Sequence, residues 1–333
     1  MHDVIIVGGG PAGLAAALTL GRSRRRVLLL DAGQGRNAPA AAVHNLLAHD
    51  GTPPQELRRI GREQLGRYPT VEIREGAVHG AHALPEEGFR LDLDGGDSVA
   101  ARRLLLATGL ADQLPKIDGL AALWGRSAFH CPYCHGFEAS GRRLAVLGAG
   151  PDRVRLALQL TRFSDDLVVC ADGQPLDPDL AERLAANGVR VRGEPVSRFE
   201  GRGGQLERIV LDRGEPLERD AVFIATVLHQ RSDLAARLGC ALLPDGCVEV
   251  DELARTSVPG VYAAGDMAHR AALPMPFAAV SWASASGTLA GAMLDQDLVT
   301  ADFDLPLPPQ HRGAPAAPGG GGREGSALTT TRA

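Results

Sequence analysis

The stretch from Val4 to Asp31 constrains the fold more than any other part of the sequence. It begins with an all-apolar strand, VIIV, and continues through the turn GGGPAG into the helical run LAAALTLGRS. A second apolar strand, VLLLD, follows and ends on an acid. A G-x-G-x-x-G turn in this context is typical of a buried parallel sheet that binds a dinucleotide.

Each glycine of the G-x-G-x-x-G pattern has a separate physical role. Gly8 permits the tight turn, Gly10 lets the backbone approach a pyrophosphate, and Gly13 allows the helix to pack closely on the strand. Asp31 is placed to accept a hydrogen bond from a ribose hydroxyl. The pattern therefore predicts a nucleotide site at this turn.

A second copy of the pattern begins at RRLAVLGAG. Its strand is Leu144–Leu147, its turn contains Gly148 and Gly150, and the helical run VRLALQLTRF leads to a strand at Leu167–Cys170. Each copy is followed later by a strand that ends in Ala-Thr, LLLATG in the first and VFIAT in the second. The sequence thus predicts an α/β fold with two nested Rossmann-like dinucleotide-binding domains.

The first domain is expected to resume after the second. The segment RTSVPGVYAAGD predicts a strand that stops at Gly265 and Asp266, and the small-residue run at 275–294 predicts a helix. We therefore assign residues 1–113 and 246–302 to the first domain and residues 114–245 to the second. Residues 303–333 are rich in Pro, Gly and Ala with little to bury, so we expect a disordered tail.

The composition narrows the classes of function and location. A formal net charge of -5 gives no reason to expect nucleic-acid binding. No apolar run reaches membrane-spanning length, and no secretion signal precedes the first strand. We therefore expect a cytoplasmic protein without a membrane segment, and in that compartment a C-x-x-C pair is more often catalytic or metal-binding than structural.

The segment FHCPYCHGFE contains C-x-x-C-H, formed by Cys131, Cys134 and His135. This string can be a redox dithiol, a haem attachment site or half of a zinc site. A haem site needs export and a distal ligand, and the frame of nested units leaves no separate haem domain. A structural zinc needs four ligands. The sequence holds no second C-x-x-C, and Cys240 and Cys247 are too far apart for that spacing, so we favour the redox pair and expect no metal.

The redox interpretation is chemically coherent. The thiolate is the nucleophile, and backbone N–H groups at a helix start favour it. His135 titrates near neutral pH and is the first candidate to shuttle a proton, with His130 as the second. Glu138 either orients His135 or is a surface residue. Cys170 ends a buried strand and is expected to be inert, and a Cys240–Cys247 disulfide is a minor alternative.

The sequence resembles the thioredoxin-reductase-like flavoproteins over roughly residues 1–300. The resemblance rests on GGGPAG with Asp31, the C-x-x-C inside the second unit, the glycine turn just after it, and the late TSVPGVYAAGD. It implies that the first domain binds FAD, that Gly265 and Asp266 hold the ribityl chain, and that the protein is a homodimer. The residues that the resemblance assigns to the cofactor are Gly8, Gly10, Pro11, Ala12, Gly13, Asp31, Arg36, Asn37, His44, Asn45, Thr108, Gly109, Gly265 and Asp266.

The redox motif departs from the reductase pattern within this family. Thioredoxin reductases usually carry an Asp directly after the second Cys, whereas this chain has His135. The string C-x-x-C-H-G-x-E resembles the dithiol oxidases that close disulfides in small natural products such as gliotoxin and holomycin. By this resemblance Cys134 faces the flavin, Cys131 exchanges with substrate, and the catalytic residues are Cys131, Cys134 and His135.

The second glycine turn makes a nicotinamide cofactor doubtful. Its third small position is occupied by Arg153, which would crowd the helix–strand packing or enter the nucleotide groove. The stretch CADGQP lacks the basic cluster that clamps the NADPH phosphate in thioredoxin reductases, and Asp172 would repel that phosphate. The sequence argues against NADPH and leaves NADH, or no nicotinamide at all, open.

Three functions follow from these features. The first is a dithiol oxidase, in which a substrate dithiol reduces the Cys131–Cys134 disulfide, the pair reduces FAD, and O₂ or another acceptor reoxidises it. The second is an NAD(P)H-dependent reductase of a thioredoxin-like protein disulfide. The third is a flavin-binding redox sensor without rapid turnover. The expected partners are therefore a small-molecule dithiol or disulfide, or a thioredoxin-like protein.

Overall fold

The fold is built on parallel strands made of continuous apolar runs. The computed structural model describes residues 1–85 and 87–306. Within them, the strands are β1 (His2–Val7), β2 (Val27–Asp31), β3 (Val71–Glu75), β4 (Val78–Ala83), β5 (Phe89–Leu93), β6 (Ser98–Leu106), β7 (Leu110–Gln113), β8 (Ala128–Phe129), β9 (Leu144–Leu147), β10 (Leu167–Cys170), β11 (Arg190–Arg192), β12 (Val196–Arg202), β13 (Gln205–Leu211), β14 (Leu217–Glu218), β15 (Ala221–Phe223), β16 (Val227–Gln230), β17 (Val248–Glu249), β18 (Val261–Ala263) and β19 (Ala268–His269).

The helices connect these strands in α/β fashion. In the same described residues they are α1 (Pro11–Arg22), α2 (Pro54–Leu65), α3 (Leu120–Leu123), α4 (Pro132–His135), α5 (Pro151–Leu160), α6 (Pro178–Ala186), α7 (Leu234–Arg237) and α8 (Val280–Asp302). Most of them begin with a proline, whose fixed φ and missing N–H suit the first helical turn.

The first sheet has the order β3-β2-β1-β6-β5-β4, and β18 pairs in parallel with β6. Strands β1, β2, β3, β6 and β18 run parallel to one another, whereas β5 pairs antiparallel with both β6 and β4. Side chains such as Ile5, Leu28 and Leu104 are fully buried. Because β18 comes from the late part of the sequence, the chain returns to its first sheet after forming the second.

The second sheet has the order β11-β10-β9-β15-β8 and is parallel throughout. Its helix α5 crosses from β9 to β10, which repeats the arrangement of α1 between β1 and β2. Between the sheets, β7 leads out of the first and β16 leads back, and the two pair in antiparallel register from Leu110↔Gln230 to Gln113↔Val227. The predicted α/β class, with parallel sheets in both units, is confirmed.

Helix α8 differs from its prediction at both ends. The sequence predicts a helix over 275–294, whereas the observed helix is Val280–Asp302. Pro274 and Pro276 explain the late start, because the residue before a proline is pushed out of the helical region. At the other end Pro, Gly and Asn are absent until Pro306, so the residues after Leu294 continue the helix.

Helices α1 and α8 approach each other closely. A Cβ placed on Gly287 would lie 2.0 Å from the carbonyl oxygen of Ala12, so only glycine fits there. The N–H of Gly265 also donates a hydrogen bond to Ser286 Oγ at 3.0 Å. This crossing fixes the loop after β18 against the start of α1.

The chain divides into one compact unit, Met1–Asp295, and a second that begins at Gln296. Of the tail expected at 303–333, residues 307–333 lie outside the described residues. In the part of the chain that the structure describes, no helix is both long and apolar enough to span a membrane.

Candidate active site

A large cavity of 710 Å³ lies in the unit Met1–Asp295, and most of the predicted site residues form its wall. Such a volume is in the range of small-molecule and cofactor sites. The wall contains Gly8, Gly10, Pro11, Ala12, Asp31, Arg36, Asn37, His44, Asn45, Thr108, Gly109, Cys134, His135, Gly265 and Asp266. Gly13 and Cys131 do not line it.

The glycine turn before α1 shows why the three positions differ. A Cβ on Gly8 would lie 2.2 Å from the carbonyl oxygen of Ala107, and one on Gly13 would lie 1.9 Å from the carbonyl oxygen of Gly8. A Cβ on Gly10 would meet nothing within 4 Å. Gly8 and Gly13 therefore serve the packing of the turn, while Gly10 presents bare backbone at the N-terminus of α1, which suits a pyrophosphate.

Asp31 is held by two arginines that the sequence analysis did not single out. Its Oδ2 accepts hydrogen bonds from Arg58 Nη2 at 2.5 Å and Arg62 Nη2 at 2.8 Å, and its Oδ1 accepts one from the Gly33 N–H at 3.0 Å. Burial opposes ionisation of Asp31, but the Gly33 N–H and the guanidinium groups outweigh it and lower the pKa. The i, i+4 spacing of these arginines on α2 was the available signal.

Arg36 binds two aspartates in the cavity wall. Its Nε and Nη2 donate to the two oxygens of Asp112 at 2.7 and 2.8 Å, and its Nη1 donates to Asp266 Oδ2 at 2.8 Å. Thr226 Oγ1 donates to Asp112 Oδ1 at 2.8 Å. Burial raises the pKa of Asp266, and Arg36 opposes that rise. Arg36 thus fixes the carboxylate of Asp266, and Asp112 is a site residue that the sequence analysis missed.

Cys131 and Cys134 form a disulfide, with their Cα atoms 5.3 Å apart. Cys131 is the N-cap of the short helix α4, as the spacing predicts, and Cys134 lies within that helix. Only Cys134 of the two lines the large cavity. One cysteine of the pair therefore lies in the cavity wall and the other lies outside it.

The other cysteines are free and buried. Burial raises the pKa of the Cys170 thiol to about 12, which makes it the inert core residue expected from the sequence. Cys240 and Cys247 form no disulfide with each other. Their thiol pKa values are also raised, first of all by burial.

The prediction that His135 titrates near neutral pH is wrong. Its ring stacks on Phe129 with centroids 4.3 Å apart and an angle of 12° between the planes. Its buried Nδ1 has no hydrogen-bond partner among the described residues. Burial lowers the pKa of His135 to about 4, and the neighbouring His130 and His44 lower it further. With the disulfide closed, His135 is therefore a neutral imidazole at physiological pH.

Glu138 does not orient His135, in contrast to one of the sequence interpretations. Its Oε1 lies 3.4 Å from His44 Nδ1, and Asp50 Oδ2 lies 3.7 Å from the same nitrogen. His130 lies against Trp124, with ring centroids 5.5 Å apart. Burial lowers the pKa of His130, and the charge of Arg36 adds to the effect.

In the second glycine turn, Arg153 lies over the turn itself. Its Cγ would be 3.1 Å from a Cβ on Gly148, and its Nε donates to Asp152 Oδ2 at 2.9 Å. Asp172, which the sequence places where a phosphate would bind, accepts a hydrogen bond from the Val196 N–H at 2.7 Å. The aliphatic part of the Arg153 side chain therefore lies against Gly148 of the second glycine turn.

Asp245, Cys247 and His269 form a cluster that the sequence analysis missed. Their ligand atoms lie within 4.8 Å of one another. Asp245 accepts hydrogen bonds from the Cys247 N–H at 3.0 Å and from His269 Nε2 at 2.8 Å, and His269 Nδ1 contacts the carbonyl oxygen of Arg270 at 3.0 Å. These contacts tie the turn before β17 to β19, directly after Asp266.

A dinucleotide cavity with a redox disulfide in its wall defines the protein as a flavin-dependent disulfide oxidoreductase. The open backbone at Gly10 and the carboxylate of Asp266 fit the pyrophosphate and the ribityl chain of FAD, which the resemblance assigns to them. The chain belongs to the pyridine nucleotide-disulphide oxidoreductase family, whose model matches residues 2–287. It is an FAD-dependent enzyme of the thioredoxin-reductase-like type.

Individual relatives agree with this membership. The chain is 34% identical over 275 residues to the thioredoxin reductase tcpT of Claviceps purpurea, covering 79% of this chain and 86% of that protein. Among solved structures, HlmI is 37% identical with a TM-score of 0.84, covering 91% of this chain and 94% of HlmI. A putative thioredoxin reductase TrxB from Bacillus anthracis is 29% identical with a TM-score of 0.84, covering 91% and 100%.

Proposed function

We propose that the protein is an FAD-dependent dithiol oxidase that closes a disulfide in a small molecule. The observation that carries the proposal is the position of the redox pair between two pockets. Cys134 lines the large cavity, while Pro132, Tyr133 and Phe137 of the same segment line a shallow pocket of 470 Å³. That pocket is lined by Asn45, Pro132, Tyr133, Phe137, Gln159, Arg162 and Phe163.

The shallow pocket suits an apolar dithiol of modest size. Tyr133 is 72% exposed and Phe137 is 80% exposed, although aromatic side chains are normally well covered. Arg162 is the charged member of the lining, and it lies over the ring of Phe163 at 6.0 Å. Exposed aromatic rings next to a redox disulfide favour a substrate that brings apolar surface with its thiols.

The exchange reaction conserves bonds and electrons between the substrate dithiol and the cysteine pair. One substrate thiolate attacks the sulfur of Cys131, the Cys131–Cys134 bond breaks, and its electron pair leaves on Cys134. The second substrate thiolate attacks the substrate sulfur of the mixed disulfide and releases Cys131. The substrate leaves as a disulfide, two electrons remain on the cysteine pair, and the two thiol protons pass to bases or to the cysteines.

When bound, FAD would supply the two-electron acceptor for the reduced cysteine pair, with O₂ or another oxidant as the final acceptor. Gly8, Gly10, Gly265 and Asp266 would hold it, with Arg36 fixing the Asp266 carboxylate. Arg153 at the second turn supports an electron path that does not begin with NADPH. With O₂ the overall reaction is dithiol plus O₂ giving disulfide plus H₂O₂.

A second candidate, disulfide reduction with a pyridine nucleotide, is favoured by the relatives named thioredoxin reductase. The free thiols Cys170, Cys240 and Cys247 support a reducing compartment, so we propose the cytoplasm for either activity.

Anaerobic half-reactions separate these functions. Purified FAD-loaded protein is mixed in parallel with dithiothreitol, NADPH and NADH, and the flavin absorbance is followed by stopped flow. We expect rapid bleaching with the dithiol alone, and in air an oxygen uptake that Cys131→Ser abolishes. Rapid bleaching by NADPH without a response to the dithiol would overturn the proposal in favour of a reductase. Slow reaction with every donor would indicate a redox sensor.

A further inference from the structure

A histidine–carboxylate pair connects the wall of the large cavity to solvent beside the redox motif. His44 lines the cavity, and its Nδ1 lies 3.4 Å from Glu138 Oε1 and 3.7 Å from Asp50 Oδ2. The side chains are 19% exposed for His44, 37% for Glu138 and 68% for Asp50. Exposure therefore rises from the imidazole to its carboxylate partners, which is the order needed to pass a proton outward.

The loop that carries His44 is held in place. Val43 forms a bridge with Thr52, and the Gly51 N–H donates to the Val43 carbonyl at 2.8 Å. Asp50 Oδ1 accepts a hydrogen bond from the Asn45 N–H at 2.7 Å. The backbone φ of Asn45 is 59°. Asparagine tolerates this left-handed conformation better than most residues, and the hydrogen bond to Asp50 holds it there. The imidazole is thus presented to the cavity by a closed loop.

The other histidines near the redox pair are unsuited to accept protons. His135 is stacked on Phe129, and its Nδ1 is buried without a hydrogen-bond partner in the described part of the chain. His130 lies against Trp124 and feels the positive charge of Arg36. His44 instead faces two carboxylates, Asp50 on its own loop and Glu138 after α4, together with the neutral ring of His135.

We propose that His44 is the base that takes the proton released when a dithiol opens the Cys131–Cys134 disulfide, and that Glu138 is the residue that positions it. With Nδ1–H donated toward Glu138, Nε2 carries the lone pair that accepts the proton. The substrate S–H bond breaks, the sulfur attacks Cys131, and the electron pair of the disulfide leaves on Cys134. His44 becomes an imidazolium beside Glu138 and releases the proton to solvent.

The test measures the exchange step without relying on turnover. Purified protein is mixed with dithiothreitol at several pH values, quenched with acid and alkylated, and opened disulfide is counted by mass. The ionisation of dithiothreitol is common to all variants, so the ratio of wild-type to variant rate isolates the protein base. We expect His44→Gln to be roughly 100-fold slower near neutral pH, in the range of general-base effects. The deficit should shrink as rising pH supplies the substrate thiolate directly.

Glu138→Gln should show a smaller loss, because the carboxylate no longer orients the imidazole of His44. This variant at a half-exposed position also tests the pair if His44→Gln does not fold. The control is His82→Gln, since His82 Nε2 contacts Asp92 Oδ2 at 2.9 Å on β4, outside the cavity wall. It should match the wild type at every pH.

The proposal is overturned if His44→Gln keeps the wild-type rate, if its deficit is the same at every pH, or if His135→Gln shows the pH-dependent deficit instead. The inference rests on the proposed function only for the direction of the physiological reaction. Dithiothreitol opens a redox disulfide in an oxidase and in a reductase alike. A failure of the oxygen-uptake experiment therefore leaves this test intact, and the two failures are distinguishable.

Discussion

At the scale of single residues, the sequence predicts which side chains react but not how they are protonated. The C-x-x-C spacing was sufficient to predict a disulfide at a helix start, and the structure has one. The near-neutral titration predicted for His135 was wrong, because burial and stacking on Phe129 remove its imidazole from water. Glu138 pairs with His44, which is 94 positions away, and no local pattern predicts such a contact.

The two cysteines should give different spectra when replaced singly. Cys131→Ser leaves Cys134, which lines the cavity, as a thiolate beside the bound flavin, and we expect a broad absorption band at wavelengths beyond those of the flavin itself. Cys134→Ser leaves only Cys131, which does not line the cavity, and we expect no such band. Absorbance spectra of the FAD-loaded variants decide between them. A band in Cys134→Ser alone would reverse the assignment of the two sulfurs.

His135 should make stability fall as the pH is lowered. Burial lowers its pKa from 6.5 to about 4 in the folded chain, so between these values the unfolded state binds more protons. The stabilisation linked to His135 is therefore present above pH 6.5 and is lost as the pH falls toward 4. Urea unfolding across this range should show a shallower pH dependence for His135→Asn than for the wild type, with His82→Gln as the control. Parallel curves would contradict the burial of the imidazole.

At the scale of helices and strands, predictions succeeded where the pattern is strong and local. The strands Val27–Asp31, Leu144–Leu147 and Leu167–Cys170 were predicted at their observed bounds, because continuous apolar runs between turn signals are easily recognised. The ladder of β7 with β16 was not predicted, since each strand is short and amphipathic and the partner is more than a hundred residues away. The ends of α8 were missed because prolines and later helix-forming residues decide them.

The glycine turn before α1 allows folding and cofactor binding to be separated. Gly8→Ala places a Cβ 2.2 Å from a carbonyl oxygen at a φ of 116°, so we expect a loss of roughly 2–5 kcal/mol in unfolding free energy. Gly10→Ala has a φ of -78° and open space at the Cβ position, so the apoprotein should keep its Tm. Its FAD affinity should fall, because the methyl group stands where the pyrophosphate approaches. Equal FAD affinities for Gly10→Ala and wild type would place the pyrophosphate elsewhere.

At the scale of the whole molecule, the sequence predicted two nested units but not which distant segments together form the cavity wall. The repeated glycine turns and the late Gly-Asp were enough to predict the return of the chain to its first sheet, which β18 makes. The contacts of Arg36 with Asp112 and Asp266 depend on tertiary packing, since Arg36 and Asp266 are 230 positions apart in the sequence. No local sequence pattern predicts these contacts. The i, i+4 spacing of Arg58 and Arg62 was visible in the sequence, but no local pattern links these arginines to Asp31.

Removing Arg36 should therefore affect the whole cavity wall. Arg36→Met leaves Asp112 and Asp266 buried without their cation, and breaking a buried ion pair costs roughly 3–5 kcal/mol. We expect a lower Tm and weaker FAD binding, and a partial recovery in Arg36→Met with Asp112→Asn, because one buried charge is then removed. The measurement is thermal unfolding with and without FAD. No recovery in the double variant would show that Arg36 acts through packing and not through charge.

Apolar side chains exposed around the start of α8 support a homodimer, which we propose for the whole molecule. Met275, Phe277, Trp282 and Leu289 are exposed, Phe277 meets Trp282 edge to face at 6.0 Å, and Trp282 and Leu289 are two turns apart on one face of the helix. A patch of this kind on a folded chain commonly marks a protein interface.

Sedimentation at micromolar concentration should give twice the mass of one chain, and Trp282→Glu with Leu289→Glu should give a monomer. Leu47→Glu, at an exposed apolar position that is not part of α8, is the matched control and should stay dimeric. A wild-type monomer, or a double variant that still dimerises, would contradict the role of this face.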